Sequence, residues 1–216
     1  MGDENFSVEA NEVLYGGNSP IFRVFDFGRL IVASQLNFEI RKFADMLTKF
    51  YDINKVLEVG TCGGGTLYVW AKVAKVGAKI ITIDLPDTYE DDKIPIFKSF
   101  GKEKKQDIHL VRSDSHSLET LKIVTDILNG DKLDLLFIDG DHSYEGAKKD
   151  FELYSPLVRK GGVIGMHDIV PIPINSFQKE IGVHRFWDEI KNKYDHEEII
   201  EDAGHQRGYG IGILKV

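Results

Sequence analysis

Two short runs concentrate the groups able to hold a metal ion or move a proton: IDGDH at 138–142 and MHD at 166–168. They supply Asp139, Asp141, His142, His167 and Asp168. Two carboxylates brought close together repel unless something positive sits between them. A hard divalent cation such as Mg²⁺ would relieve that repulsion, with waters completing its octahedron. Asp139 and Asp168 are the candidate ligands. Such an ion would orient an acceptor hydroxyl and lower its pKa. His142 is suited to take the released proton near neutrality. Plainer roles stand beside these. Asp139 or Asp141 could cap a helix beginning near Ser143, His142 could bond a backbone carbonyl, and Asp168 could be a solvated loop carboxylate. His167 reads as structural.

A second set of residues has the character of a nucleotide site. EVGTCGGGT at 58–66 is a glycine-rich bend, where the backbone can turn sharply and approach a ligand. Asp84 follows Gly60 by 24 residues, a spacing that suits a carboxylate accepting ribose hydroxyls. SDS at 113–115 offers Asp114 and Ser115 to an adenine edge. The bend is not the GxGxxG that a pyrophosphate wants. Glu58 within it suits a sulfonium cation better than a phosphate. These features favour S-adenosylmethionine (SAM) over a dinucleotide, although a nicotinamide-dependent oxidoreductase and a non-catalytic SAM-binding module remain alternatives. Cys62 reads as a small apolar filler, since no base is placed beside it.

The elements that must position these groups follow from periodicity. KVLEVG (55–60), KIITID (79–84), IHLVRSD (108–114), KLDLLFIDG (132–140) and GVIGMHD (162–168) are short apolar runs of buried parallel strands. Helices are predicted between them at 66–76, 118–128 and 144–158, with a short one inside 85–107. Asn129-Gly130 ends the second of these, and Gly161-Gly162 stops the third. An amphipathic helix over 34–50, with Ser34 as its N-cap, precedes the first strand. After a Pro-rich loop come a helix at 183–194 and strands at 197–202 and 209–216, too close for a crossover and so antiparallel. Strand and helix alternating in this way predict a doubly wound α/β fold, Rossmann-like, with helices on both faces. The polar N-terminus makes 1–33 an expected arm or lid and 34–216 the catalytic domain. Tyr15, Phe22 and Phe25 could line an acceptor lid or form a packing stripe, and His205, Arg207 and Tyr209 could reach the acceptor.

The composition limits partners. Formal net charge is -8, which repels phosphate backbones and argues against nucleic acid. One cysteine among 216 residues excludes an internal disulfide framework and a multi-Cys zinc site. No apolar run of about 18 residues is present, so no membrane span is expected. The N-terminus lacks the features of a secretory signal, and a cytoplasmic location is the expectation. Self-assembly into a homo-oligomer stays open.

LEVGTCGGGTL (57–67), ITIDLPD (81–87), LVRSDSHSLET (110–120) and LLFIDGDHSYEGAKKDFELYSPLVRKGGVIGMHDI (135–169) together resemble class I SAM-dependent methyltransferases. The closer likeness is to small-molecule O-methyltransferases, the group of macrolide sugar O-methyltransferases and cephalosporin-hydroxylase-like proteins. The resemblance implies a seven-stranded sheet with the final strand inserted antiparallel. It implies that Glu58 and Gly60 lie by the methionine part of SAM, Asp84 holds the ribose, and Asp114 with Ser115 lies near the adenine. Thr61, Cys62, Gly64, Thr66, Leu85, Ser113 and Asp139 are expected around the same cofactor. In the sugar enzymes the positions matching Asp139 and Asp168 bind metal, and the one matching His142 is the base. The chain departs from ExGxGxG at Cys62. It also carries Ile169 where catechol-type enzymes have Asn after the second Asp.

Overall fold

The computed structural model describes residues 21–26, 29–172 and 181–216. Of the expected arm, 1–20 lie outside the described residues, as do Tyr15 and the side chains of Phe22 and Phe25. From Ile21 the chain forms an antiparallel hairpin of its own, β1 (Ile21–Asp26) and β2 (Arg29–Leu36). This corrects the expected start of the first helix. Pairing of Leu36 with Ile21 keeps the chain extended through residue 36, so Ser34 lies in β2 and not at an N-cap. Helix α1 runs Asn37–Phe50, and Leu36 at its cap position makes no side-chain cap bond. Its stripe Ile40, Phe43, Ala44 and Leu47 is buried, as helical spacing predicts.

The main sheet begins at β3 (Lys55–Val59), followed by α2 (Gly65–Val73), β4 (Lys79–Asp84), α3 (Ile94–Ser99) and β5 (Asp107–Arg112). Then come α4 (Leu118–Leu128), β6 (Leu133–Ile138), α5 (Tyr144–Tyr154) and β7 (Val158–His167). The chain ends with α6 (Val183–Ile190), β8 (Asp195–Ile199) and β9 (Ile211–Lys215). Strand order is β5-β4-β3-β6-β7-β9-β8. β9 alone runs antiparallel, wedged between β7 and β8. Most boundaries move by a few residues, α6 for example ending at Ile190 and not at 194, and the shifts at α5 and β7 have a clear cause. α5 stops at Tyr154, just before Pro156, which has no N–H to extend it. Gly161 and Gly162 fall inside β7 instead of ending the helix, and both bond the C-terminal Val216.

Each face of the sheet carries its own core. Phe43, Trp70 and Phe137 meet on one face, with Trp70–Phe137 centroids 4.9 Å apart. Leu57, Ile81, Leu136, Phe151 and Trp187 fill the other. β6 is buried at every position, as expected of a strand covered on both sides. The order reverses at β3, since β4 and β5 lie to one side and β6 and β7 to the other. That reversal opens a crevice at the carboxyl ends of the strands, where such sheets bind ligands. No helix among the described residues is long and apolar enough to cross a membrane.

Candidate active site

The glycine bend closes the crevice from below. Gly60 leaves β3 with φ +99, and a Cβ there would lie 2.0 Å from the carbonyl oxygen of Asp139. Only glycine permits β3 and β6 to exit this close together. Gly64 adopts φ +78 before α2, and the Phe97 ring occupies the space a side chain would need. Between them Cys62 also takes a left-handed conformation, φ +44. Its thiol is exposed and free, which corrects the expected apolar filler. The strained turn aims the Cys62 amide at Asp84 Oδ2, 2.7 Å away. Asp84 Oδ1 accepts from the Leu85 amide at 2.8 Å and from the Thr88 hydroxyl at 2.6 Å. Three donors thus fix the carboxylate at the tip of β4 and leave it lone pairs for a further donor.

A cavity of about 490 Å³ follows the strand ends, within the usual range for small-ligand sites. Gly60, Thr61, Cys62 and Thr66 line it from the bend, and Asp84 and Leu85 from β4. Ser113, Asp114 and Ser115 contribute from the end of β5, and Asp139 and His142 from the end of β6. Most residues singled out in the sequence are therefore brought together. Gly64 is not among those lining the cavity, because it faces Phe97.

Glu58 also stays out of the cavity. It is fully buried, accepting from Trp70 Nε1 at 2.9 Å and from the Thr82 hydroxyl at 2.6 Å. Burial raises its pKa to about 8 despite the bonds from Thr82, Thr66 and Trp70. The expected counter-charge to a sulfonium is thus a largely neutral carboxyl group beneath the floor. Thr82 in turn bonds Thr61, which lines the cavity. Glu58 acts on the site through that chain of hydroxyls.

At the other end, the two expected carboxylates meet around a histidine. His142 lies with Nε2 at 3.3 Å from Asp139 and Nδ1 at 2.8 Å from Asp168. One ligand atom from each of the three falls within 4.8 Å of the others. Asp168 takes φ +62 at the end of β7, and His167 before it is buried against both carboxylates. Hydrogen bonds to Asp139 and then Asp168 raise the His142 pKa to about 11. Burial opposes the Asp139 charge, but the two imidazoles outweigh it and hold its pKa below the ordinary value. The cluster is built around positive charge, and His142 and His167 supply it here. Asp141 plays the plainer part: it accepts from the Ser143 amide at 2.9 Å, and Ser143 caps α5 through Gly146.

A family profile described as a methyltransferase domain matches residues 57–169, more than half of the 216-residue chain. The chain belongs to the methyltransferase-domain family. Over 122 residues this methyltransferase domain is 30% identical to the flavonoid 3′,5′-methyltransferase of Vitis vinifera, covering 56% of this chain and 50% of that protein. The chain spans about half the length of the curated relatives it matches. Its fold is similar to the O-methyltransferase from Bacillus cereus in complex with SAH, with TM-score 0.58 and 20% identity over 81% of this chain and 80% of that one. A second solved structure is TomG of Streptomyces achromogenes, an O-methyltransferase involved in tomaymycin synthesis, in complex with SAM. It gives TM-score 0.54 and 18% identity over 82% and 78% of the two chains. At these identities the likeness establishes the fold alone.

Several residues of the methyltransferase domain's cavity escaped sequence reasoning. Gln35 reaches it from β2, and Thr88 from the loop after β4. His116 lines it with Nε2 facing Asp150 at 3.5 Å. Asp150 is fully buried on α5, and burial raises its pKa to about 6. A carboxylate between the apolar residues Ala147 and Tyr154 on the inner face of α5 was a legible signal, since such a position needs a partner. Gln35 carried none, because the hairpin that positions it has no local motif. Tyr209 packs edge-on to His167, centroids 6.0 Å apart, while His205 is exposed.

Proposed function

We propose that this chain binds SAM in the cavity and transfers the methyl group to a hydroxyl of a small molecule, assisted by a divalent cation. One observation carries the reading. A carboxylate fixed at the tip of β4 shares one cavity with Asp139 and His142, joined by the glycine bend, and Asp168 meets His142 from outside the lining. Asp84 would accept from the ribose hydroxyls, Ser113 to Ser115 would meet the base, and the bend would leave room for the sulfonium. The bound donor supplies an electrophilic methyl group. The flavonoid and tomaymycin enzymes among the relatives support a small acceptor.

The cluster fits a hard cation in its donor set: two carboxylates, nearly buried, with side-chain exposures of 10% and 7%. Asp139 and Asp168 would hold the ion, which supplies Lewis acidity at the acceptor hydroxyl. With the carboxylates neutralised in that way, His142 no longer has to supply the positive charge. Its ring, 43% exposed, is then free to take the acceptor's proton at an imidazole nitrogen. Alignment of hydroxyl and methyl within the cavity accounts for most of the acceleration. Calorimetry with S-adenosylhomocysteine, with and without Mg²⁺, is the test. Micromolar binding is expected, and no heat at millimolar ligand would eliminate the reading.

A further inference from the structure

We infer that Gln35 is a donor-selecting residue of the cavity: its side-chain carbonyl accepts a hydrogen bond from the α-ammonium of the amino-acid end of an adenosyl ligand. The inference rests on the reading that such a ligand occupies the cavity. Gln35 is 1% exposed and lines the cavity from the end of β2. Its Nε2 donates to Asp139 Oδ2. That bond sets the amide's orientation, because a carboxylate accepts and the amide oxygen facing it would be repelled. The carbonyl oxygen must then point elsewhere. It is buried and has no hydrogen-bond partner among the described residues.

A buried carbonyl without a donor is costly, so its persistence beside a ligand cavity points to a donor brought by the ligand. The topology says which part of the ligand. With the ribose at Asp84 on β4, the ligand can extend towards β5 or towards β3 and β6. Ser113, Asp114 and Ser115 occupy the β5 side. Gln35 bonds Asp139 on the β6 side, beside Gly60. The end of the ligand there is the amino acid, whose ammonium is a strong donor. Gln35 thereby joins the hairpin to both halves of the site, with one amide atom on the carboxylate cluster and the other on the ligand.

The test uses Gln35→Met, close in shape and without polar atoms, in the full chain. S-adenosylhomocysteine, its deaminated analogue and 5′-methylthioadenosine are titrated by calorimetry. The last lacks the amino-acid end but keeps base, ribose and thioether. Expected is a roughly tenfold loss of S-adenosylhomocysteine affinity in Q35M, with 5′-methylthioadenosine unchanged. The deaminated analogue binds wild type more weakly and does not distinguish it from Q35M. Unchanged S-adenosylhomocysteine affinity, or a parallel loss for 5′-methylthioadenosine, overturns the inference. So does a deaminated analogue that binds wild type as tightly as the parent, a result that needs no folded variant. Binding of S-adenosylhomocysteine to wild type in those same titrations keeps the SAM reading intact, whereas failure of every ligand to bind wild type removes both.

Discussion

Glu58→Gln offers a measurement that depends on the fold alone. Glu58 is fully buried, and burial raises its pKa from 4.5 to about 8. Between these values the folded chain holds a proton there that the unfolded chain has released. Folded protein binds more protons, so stability falls as pH rises through this window. The contribution is fully present below pH 4.5 and lost as pH climbs past 8. Integrated from pH 5 to pH 8, one group shifted this far costs about 3 kcal/mol. The substituted amide would keep the acceptor for Trp70 Nε1 and offer an N–H to Thr82, whose hydroxyl can turn towards Thr61. It carries no charge at any pH. Urea unfolding followed by circular dichroism at half-unit steps gives the difference between wild type and variant. Contributions from Asp150 and Glu39, whose pKa values burial also raises, cancel in that difference. The variant is expected to gain on wild type steadily as pH rises, approaching about 1.4 kcal/mol per unit. A difference that stays flat from pH 5 to pH 8 would refute the picture of a neutral, buried Glu58.

Other perturbations address the site and the packing directly. Asp84→Asn removes the charge that the Cys62 amide and Thr88 hold in place. S-adenosylhomocysteine affinity is expected to fall roughly tenfold, and equal affinity by calorimetry would dissociate Asp84 from the ribose. Asp139→Asn breaks the carboxylate pair around His142. Mn²⁺ titrated by electron paramagnetic resonance should find one site in wild type and none in the variant. Gly212→Ala sets a methyl 2.6 Å from the Trp187 ring between β9 and α6. A loss of about 2 kcal/mol is expected, read as a fall in Tm, and an unchanged Tm would show that Trp187 is free to shift.

The repeating alternation of apolar runs and helical stripes was enough to define the sheet, because buried parallel strands and amphipathic helices have distinct periods. It also marked Gly60, Asp84, Ser113, Asp139 and Asp168, since chemistry in this fold gathers at strand ends. Strand order was anticipated only through the family resemblance, which put the final strand antiparallel inside a seven-stranded sheet. β9 between β7 and β8 rests on long-range pairing that no local pattern specifies. The hairpin of β1 and β2 was hidden for the same reason: pairing with Ile21 holds Ser34 to Leu36 extended against their reading as a helix start. With the hairpin went Gln35, which reaches Asp139 across 104 residues of chain. Tertiary packing also decided what a carboxylate is for. Glu58 and Asp84 are both acidic residues near strand ends, and the sequence assigns both to the cofactor. Burial beside Trp70 turns one into a neutral support, while three donors hold the other, charged, at the cavity. Residue type gives a side chain its chemistry; the dielectric and the partners around it, which only the folded chain creates, select how that chemistry is used.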